Sequence, residues 1–145
     1  SGCPDPELRD HIAQDDRFWS LSSRLAEQSD ENDLAQQYVE RALQIRPNDK
    51  QYLAQLAQIL RRGSNKEDAR HAAQKSVEAG QLEQDLFLLA RQFETRPVQV
   101  ADCNLVSHLY RRLGRSSRAE LWERVAEQVA RTEGMNSMRE GTTMR

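Results

Sequence analysis

A helical hairpin that recurs along the chain is the feature that most limits what it can fold into. Between Phe18 and Pro47 the sequence FWSLSSRLAEQSDENDLAQQYVERALQIRP holds two amphipathic segments separated by the polar run SDEND. Phe18, Leu21, Ser22, Leu25 and Ala26 follow three- and four-residue spacing in the first, as do Leu34, Ala35, Tyr38, Val39, Ala42 and Leu43 in the second. That is the period of a helix with one buried face. Asn32 or Asp30 is placed to cap the second helix, and Pro47, lacking an amide hydrogen, ends it. Such a pair cannot bury its apolar side alone, so further copies are expected. A shift of 34 residues sets Trp19 on Leu53, Ser23 on Ala57, Ala35 on Ala69 and Ala42 on Ser76, and a further 50 reach Cys103, Ser107, Ala119 and Ala126.

These positions carry a resemblance. The 34-residue step, with Trp19, Ala35, Ala42 and Pro47 in copy one, Leu56, Ala57, Gly63 and Ala69 in copy two, and Tyr110, Gly114, Ala119 and Ala126 in copy three, resembles the tetratricopeptide repeat. The resemblance covers about two thirds of the chain as three imperfect units. It implies an all-α fold, a right-handed superhelical solenoid of stacked antiparallel hairpins with about seven helices. The boundaries that follow are a lead-in with a short helix at 1–15, a helical domain at 16–133 and a flexible tail at 134–145. Within the domain, repeats lie at about 16–49, 50–82 and 100–133, with an extra helix at 82–96. Gly80 is expected to stop the second helix of copy two, which opens at a capping box formed by Ser64 and Glu67; Ser117 and Glu120 form another.

Composition suits this architecture. The chain of 145 residues has 37% hydrophobic and 30% charged residues, and its mean hydropathy of −0.87 is low for a compact globule but natural for hairpins that expose much of every helix. Lys and Arg number 21 against 23 Asp and Glu, so no basic excess points to nucleic acid. The longest apolar run, Leu86 to Ala90, is five residues, against the roughly 18 of a membrane helix. Cys3 and Cys103 make no disulfide framework, and no paired histidines or CxxC imply a metal. Cys103 occupies an apolar slot and reads as a small buried hydrophobe. Cys3, after Ser1 and Gly2, resembles the end of a bacterial lipoprotein signal, which would make it a lipidation site and place the protein in the bacterial cell envelope. Otherwise the cytoplasm is expected, with Ser1 and Gly2 not native to the chain.

Little in the sequence speaks for chemistry. His11, His71 and His108 lie far apart, Glu67 and His71 supply at most half a metal site, and no phosphate loop, GxSxG or HExxH occurs. The expectation is a protein that is not an enzyme, with no cofactor, no metal and no small-molecule substrate. The resemblance directs attention to the first helices of the hairpins, which in that family line a concave surface holding a peptide or helix of a partner. Carried onto this chain, the partner-binding residues are Arg17, Arg24, Gln51, Gln58, Arg61, Arg62, Asn104, His108, Arg111 and Arg112, flanked by Ser20, Glu27, Gln28, Ala54 and Ala101. The pairs Arg61-Arg62 and Arg111-Arg112 recur at one repeat position and would make the groove locally basic, suited to acidic protein segments. Cations in a last helical turn also complement its negative end, which accounts for the same pairs without a ligand. The family's groove for a terminal carboxylate uses lysine and asparagine at several of these positions; Asn104 matches, whereas Ser20, Arg24, Ala54 and Gln58 depart.

The function expected from this reading is a non-catalytic scaffold or adaptor for protein–protein interaction, in assembly of a bacterial envelope, secretion or pilus machine if Cys3 is lipidated. The alternative is a regulatory or nucleic-acid-associated module binding polyanions through the same arginines. A monomer or a weak homo-oligomer through an apolar surface around Trp122 is expected. Met135, Met138 and Met144 give the tail a second reading, as a docking peptide.

Overall fold

Capping residues set where most of the helices begin. The computed structural model describes residues 5–143, with side chains over 5–138. It is all-α, with seven helices and, among the described residues, no strand. They are α1 (Pro6–Ala13), α2 (Asp16–Gln28), α3 (Asn32–Ile45), α4 (Lys50–Arg62), α5 (Lys66–Phe93), α6 (Val100–Arg112) and α7 (Ser116–Thr143). The chain forms two compact units, one ending at Gly80 and the other beginning at Gln81.

In the first unit, Asp15 accepts from the amides of Arg17 and Phe18 at 3.0 and 3.4 Å, and Asp49 from those of Gln51 and Tyr52 at 3.0 and 3.1 Å. Each satisfies donors that the first turn of α2 or α4 leaves orphaned. α3 starts differently from expectation. Neither Asn32 nor Asp30 caps it with a side chain. Asn32 lies inside the helix and donates its amide to the Ile59 carbonyl 3.3 Å away, serving the C-terminal end of α4 instead. Asp30 sits in the α2–α3 turn with φ 58°. α5 is capped by Asn65, which accepts from the Asp68 amide at 3.3 Å, one residue later than the expected Ser64 and Glu67 box.

Small residues let these helices approach. Ala26, Ala35, Val39, Ala42, Tyr52 and Ile59 form one buried cluster across α2, α3 and α4, and Ala57, Leu60, Ala69 and Ala72 a second between α4 and α5. Trp19 edges the first. Its indole N–H donates to the Ala13 carbonyl at 3.1 Å, its ring lies 5.6 Å from that of Tyr38, and the Arg41 guanidinium sits 4.6 Å above it.

The second unit repeats several devices. α6 and α7 pack along each other as α2 and α3 do, with Cys103, Val106, Leu109, Leu113, Ala119 and Ala126 buried. Asp102 accepts from the Gln99 amide at 2.9 Å and from both terminal nitrogens of Arg96 at 2.7 and 2.9 Å, which clips the turn before α6. Gly114, at φ 73°, ends α6, and the Arg115 amide reaches back to the Tyr110 carbonyl at 2.9 Å. Trp122 is half-buried, its ring 6.2 Å from Phe93; the exposed apolar residue beside it is Leu121.

Two expected boundaries are absent. α5 continues through Gly80 to Phe93, so the second helix of copy two and the extra helix at 82–96 are halves of one element. A single interior glycine costs a helix only about 1 kcal/mol relative to alanine, and here it lies in van der Waals reach of the Lys50 side chain, 3.6 Å from where a Cβ would sit. Likewise α7 runs on to Thr143 across most of the expected flexible tail. Its side chains from Arg131 to Met138 are exposed, so this extension follows from the low cost of propagating a helix once nucleated rather than from packing.

A candidate partner-binding groove between α2 and α4

The floor of the groove is a reciprocal hydrogen bond. Ser20 on α2 donates its hydroxyl to Gln55 Oε1 at 2.9 Å, and the Gln55 amide donates back to the Ser20 carbonyl at 3.2 Å. Both side chains are buried, so the bonds also remove what would be costly unsatisfied polar groups. At the N-terminal end of the two helices the Tyr52 hydroxyl donates to Asp16, which Arg46 approaches to 3.9 Å. Burial first, and then this bond to an anion, push the Tyr52 phenol above its ordinary pKa.

Over the floor lies a groove of about 570 Å³ lined by Arg24, Glu27 and Gln28 of α2 and Gln51, Ala54, Gln55 and Gln58 of α4. Positions 51, 54, 55 and 58 share one helical face. The structure thus brings together three of the candidate residues, Arg24, Gln51 and Gln58, with Glu27, Gln28 and Ala54 that flank them in the sequence reading. Arg17 is exposed on α2 and does not line it. Arg61 and Arg62 occupy the last turn of α4, and Arg62 Nη1 stands 3.7 Å from Glu27 Oε2.

Asn104, His108, Arg111 and Arg112 are exposed on α6, in the second unit. Arg111 donates through Nε at 3.1 Å, and through Nη2, to Glu123 Oε1, which the Ser107 hydroxyl also reaches at 3.3 Å. The bond from Arg111 holds the Glu123 carboxyl below its ordinary range. One guanidinium of each recurring arginine pair therefore faces a carboxylate of the protein itself, which lowers the basic character expected of the groove.

Gln55 is the functional-looking residue the sequence reading missed. Its signal was a glutamine inside the apolar row Leu53, Leu56, Ala57, where only a partnered polar side chain can be buried. A second groove of about 370 Å³ was missed too; it lies against α3, α4 and α5 with Leu43, Leu53, Leu56 and Leu60 beside Glu40, Asp68, His71 and Lys75.

Cys103 is buried with a free thiol, its pKa raised by burial and then by the neighbouring Asp102 charge. Cys3 lies outside the described residues. Among the described residues no group of three or more His, Cys, Asp or Glu is placed to hold a metal ion, and no helix is long and apolar enough to cross a membrane. Set against family models, curated proteins and solved structures, the chain matches none.

Proposed function

We propose that this protein is a non-catalytic protein-binding module whose α2/α4 groove holds an extended segment of a partner protein. The observation that carries the reading is the preformed polar groove. Its floor is locked by the Ser20–Gln55 bonds, while exposed Gln51 and Gln58 flank that floor on α4. A side-chain amide offers one donor face and one acceptor face, which is what an extended peptide backbone presents at each residue. Gln58 lies seven residue steps beyond Gln51 on α4, about 10 Å along the axis, the reach of about three residues of extended chain. A rigid floor also spares the ordering cost that a flexible surface pays on binding.

The hairpins are tetratricopeptide-like in this reading. The recurring small residues Ala35, Ala69 and Ala119, all buried, support it, and a role as scaffold or adaptor follows from the resemblance. The polyanion reading draws less support, because Arg62 and Arg111 already face Glu27 and Glu123.

Filling the groove tests the proposal. Ala54→Trp places a large ring among the groove residues at an exposed helix position, and Gln37→Trp puts the same ring at an exposed position on α3. Capture from a lysate of the source cells should yield a defined protein with the wild type and Gln37→Trp and lose it with Ala54→Trp. Equal capture by both variants, with circular dichroism unchanged, would contradict the proposal.

A further inference from the structure

We propose that Glu27 makes the groove select a segment carrying a lysine or arginine side chain. The inference rests on the reading of the α2/α4 groove as a peptide site and adds the chemistry of what it takes. Glu27 lies in the last turn of α2, and its side chain is 13% exposed. Its Oε1 is closed off from solvent and has no hydrogen-bond partner among the described residues. Its Oε2 has the Arg62 guanidinium at 3.7 Å, beyond hydrogen-bond length.

Such a carboxylate is badly placed for stability. An unsatisfied buried acceptor bears its full desolvation cost, and a negative charge in the last turn opposes the negative end of the helix. A cation at Oε2 offsets the negative charge behind both penalties. Among the described residues no neighbouring side chain hydrogen-bonds Oε1, although Arg24 lines the same groove. Gln55 spends its amide on the Ser20 carbonyl, and Arg62 is half-exposed at a distance that leaves the pair loose. A lysine or arginine arriving on a bound segment would supply a charge-assisted hydrogen bond to Glu27 Oε2 while its backbone lies between Gln51 and Gln58. An acidic side chain at the same point would meet a like charge. This reverses the preference that the recurring arginines suggest from sequence alone.

Three capped pentapeptides, Ala-Ala-Lys-Ala-Ala and its counterparts centred on Gln and Glu, test the inference by titration into the ¹⁵N-labelled full chain. Amide shifts of α2 and α4 report binding, and the Gln51, Gln55 and Gln58 side-chain amides locate it. The lysine peptide should bind about 10-fold more tightly than the glutamine peptide, and the glutamate peptide most weakly. Glu27→Gln should abolish the preference for the lysine peptide over the glutamine peptide. Arg62→Gln, which removes the competing cation, should strengthen lysine-peptide binding, and it keeps the test open if Glu27→Gln does not fold. Equal affinities in the wild type would overturn the selection by Glu27 while leaving the groove a peptide site. Tightest binding of the glutamate peptide would overturn it in favour of an acidic partner. Absence of shifts in α2 and α4 at millimolar peptide would overturn both the selection and the peptide site.

Discussion

Ser23 donates its hydroxyl to the Ala35 carbonyl 2.7 Å away, joining α2 to α3 inside the first hairpin. Ser107 does the same to Ala119 at 3.0 Å, across the same twelve residues, between α6 and α7. Both serines are buried, and each lets two helices approach closely enough for a hydroxyl to bridge them. Ser23→Ala should cost about 1 kcal/mol, one net hydrogen bond. Ser23→Val adds methyl bulk to a closed space and should cost about 2 to 3 kcal/mol. Denaturant unfolding followed by Trp19 fluorescence, in a Trp122→Phe background, measures both. A harmless Ser23→Val would mean that the hairpin has room around Ser23 and is not closely packed there.

Asp30 and Gly114 do one job in the two hairpins. Each holds a left-handed backbone, with φ 58° and 73°, just after α2 or α6. The following amide then returns to a carbonyl in the last turn, Glu31 to Ala26 and Arg115 to Tyr110, both at 2.9 Å. Glycine accepts that conformation without Cβ strain. Asp30→Gly should therefore stabilise the protein, by up to about 1 kcal/mol, and Gly114→Asp should destabilise it by a similar amount. Thermal melts of the two variants should shift in opposite directions.

Gly80→Ala distinguishes a continuous α5 from a helix that stops at the glycine. Inside the helix, with only the flexible Lys50 side chain within reach of an added Cβ, the substitution should stabilise by about 1 kcal/mol. At a left-handed helix stop the same change would destabilise. The sign of the shift in denaturation midpoint decides between them.

Acid should open the clip before α6. Hydrogen bonds from Arg96 and then from the Gln99 amide hold the Asp102 carboxyl at about 2, below its ordinary 3.8. A depressed carboxyl stabilises the folded state above its unfolded pKa, and the contribution disappears as pH falls from about 4 toward about 2. Arg96→Ala should lower stability at pH 7 and narrow that gap to wild type as the solution approaches pH 2. A gap constant across this range would show that the pair carries no stability.

Periodicity made the hairpins legible, because the three- and four-residue spacing of Leu34, Tyr38, Ala42 and their counterparts has one physical cause, a buried helical face. The groove was partly legible on the same ground. Arg24, Gln51 and Gln58 meet because the spacing that buries one face of α2 and α4 fixes what the other faces present. Charge pairing was not legible. Arg62 with Glu27 and Arg111 with Glu123 join residues 35 and 12 positions apart, and a helical pattern does not say which way long side chains reach. Gly80 misled because a glycine fits a helix interior as well as a helix end: Gly63 ends α4, whereas α5 runs through Gly80 to Phe93.

The position of a partner segment along α4 is the property that decides whether the groove binds protein. A photoreactive amino acid placed at Gln58, with Gln37 on α3 as control, should crosslink a partner in source-cell lysate, and sequencing of the crosslinked peptide identifies the segment held. Crosslinking from position 58 to one extended segment, and none from 37, is the predicted result. Crosslinking of that partner from 37 and not from 58 would contradict the groove.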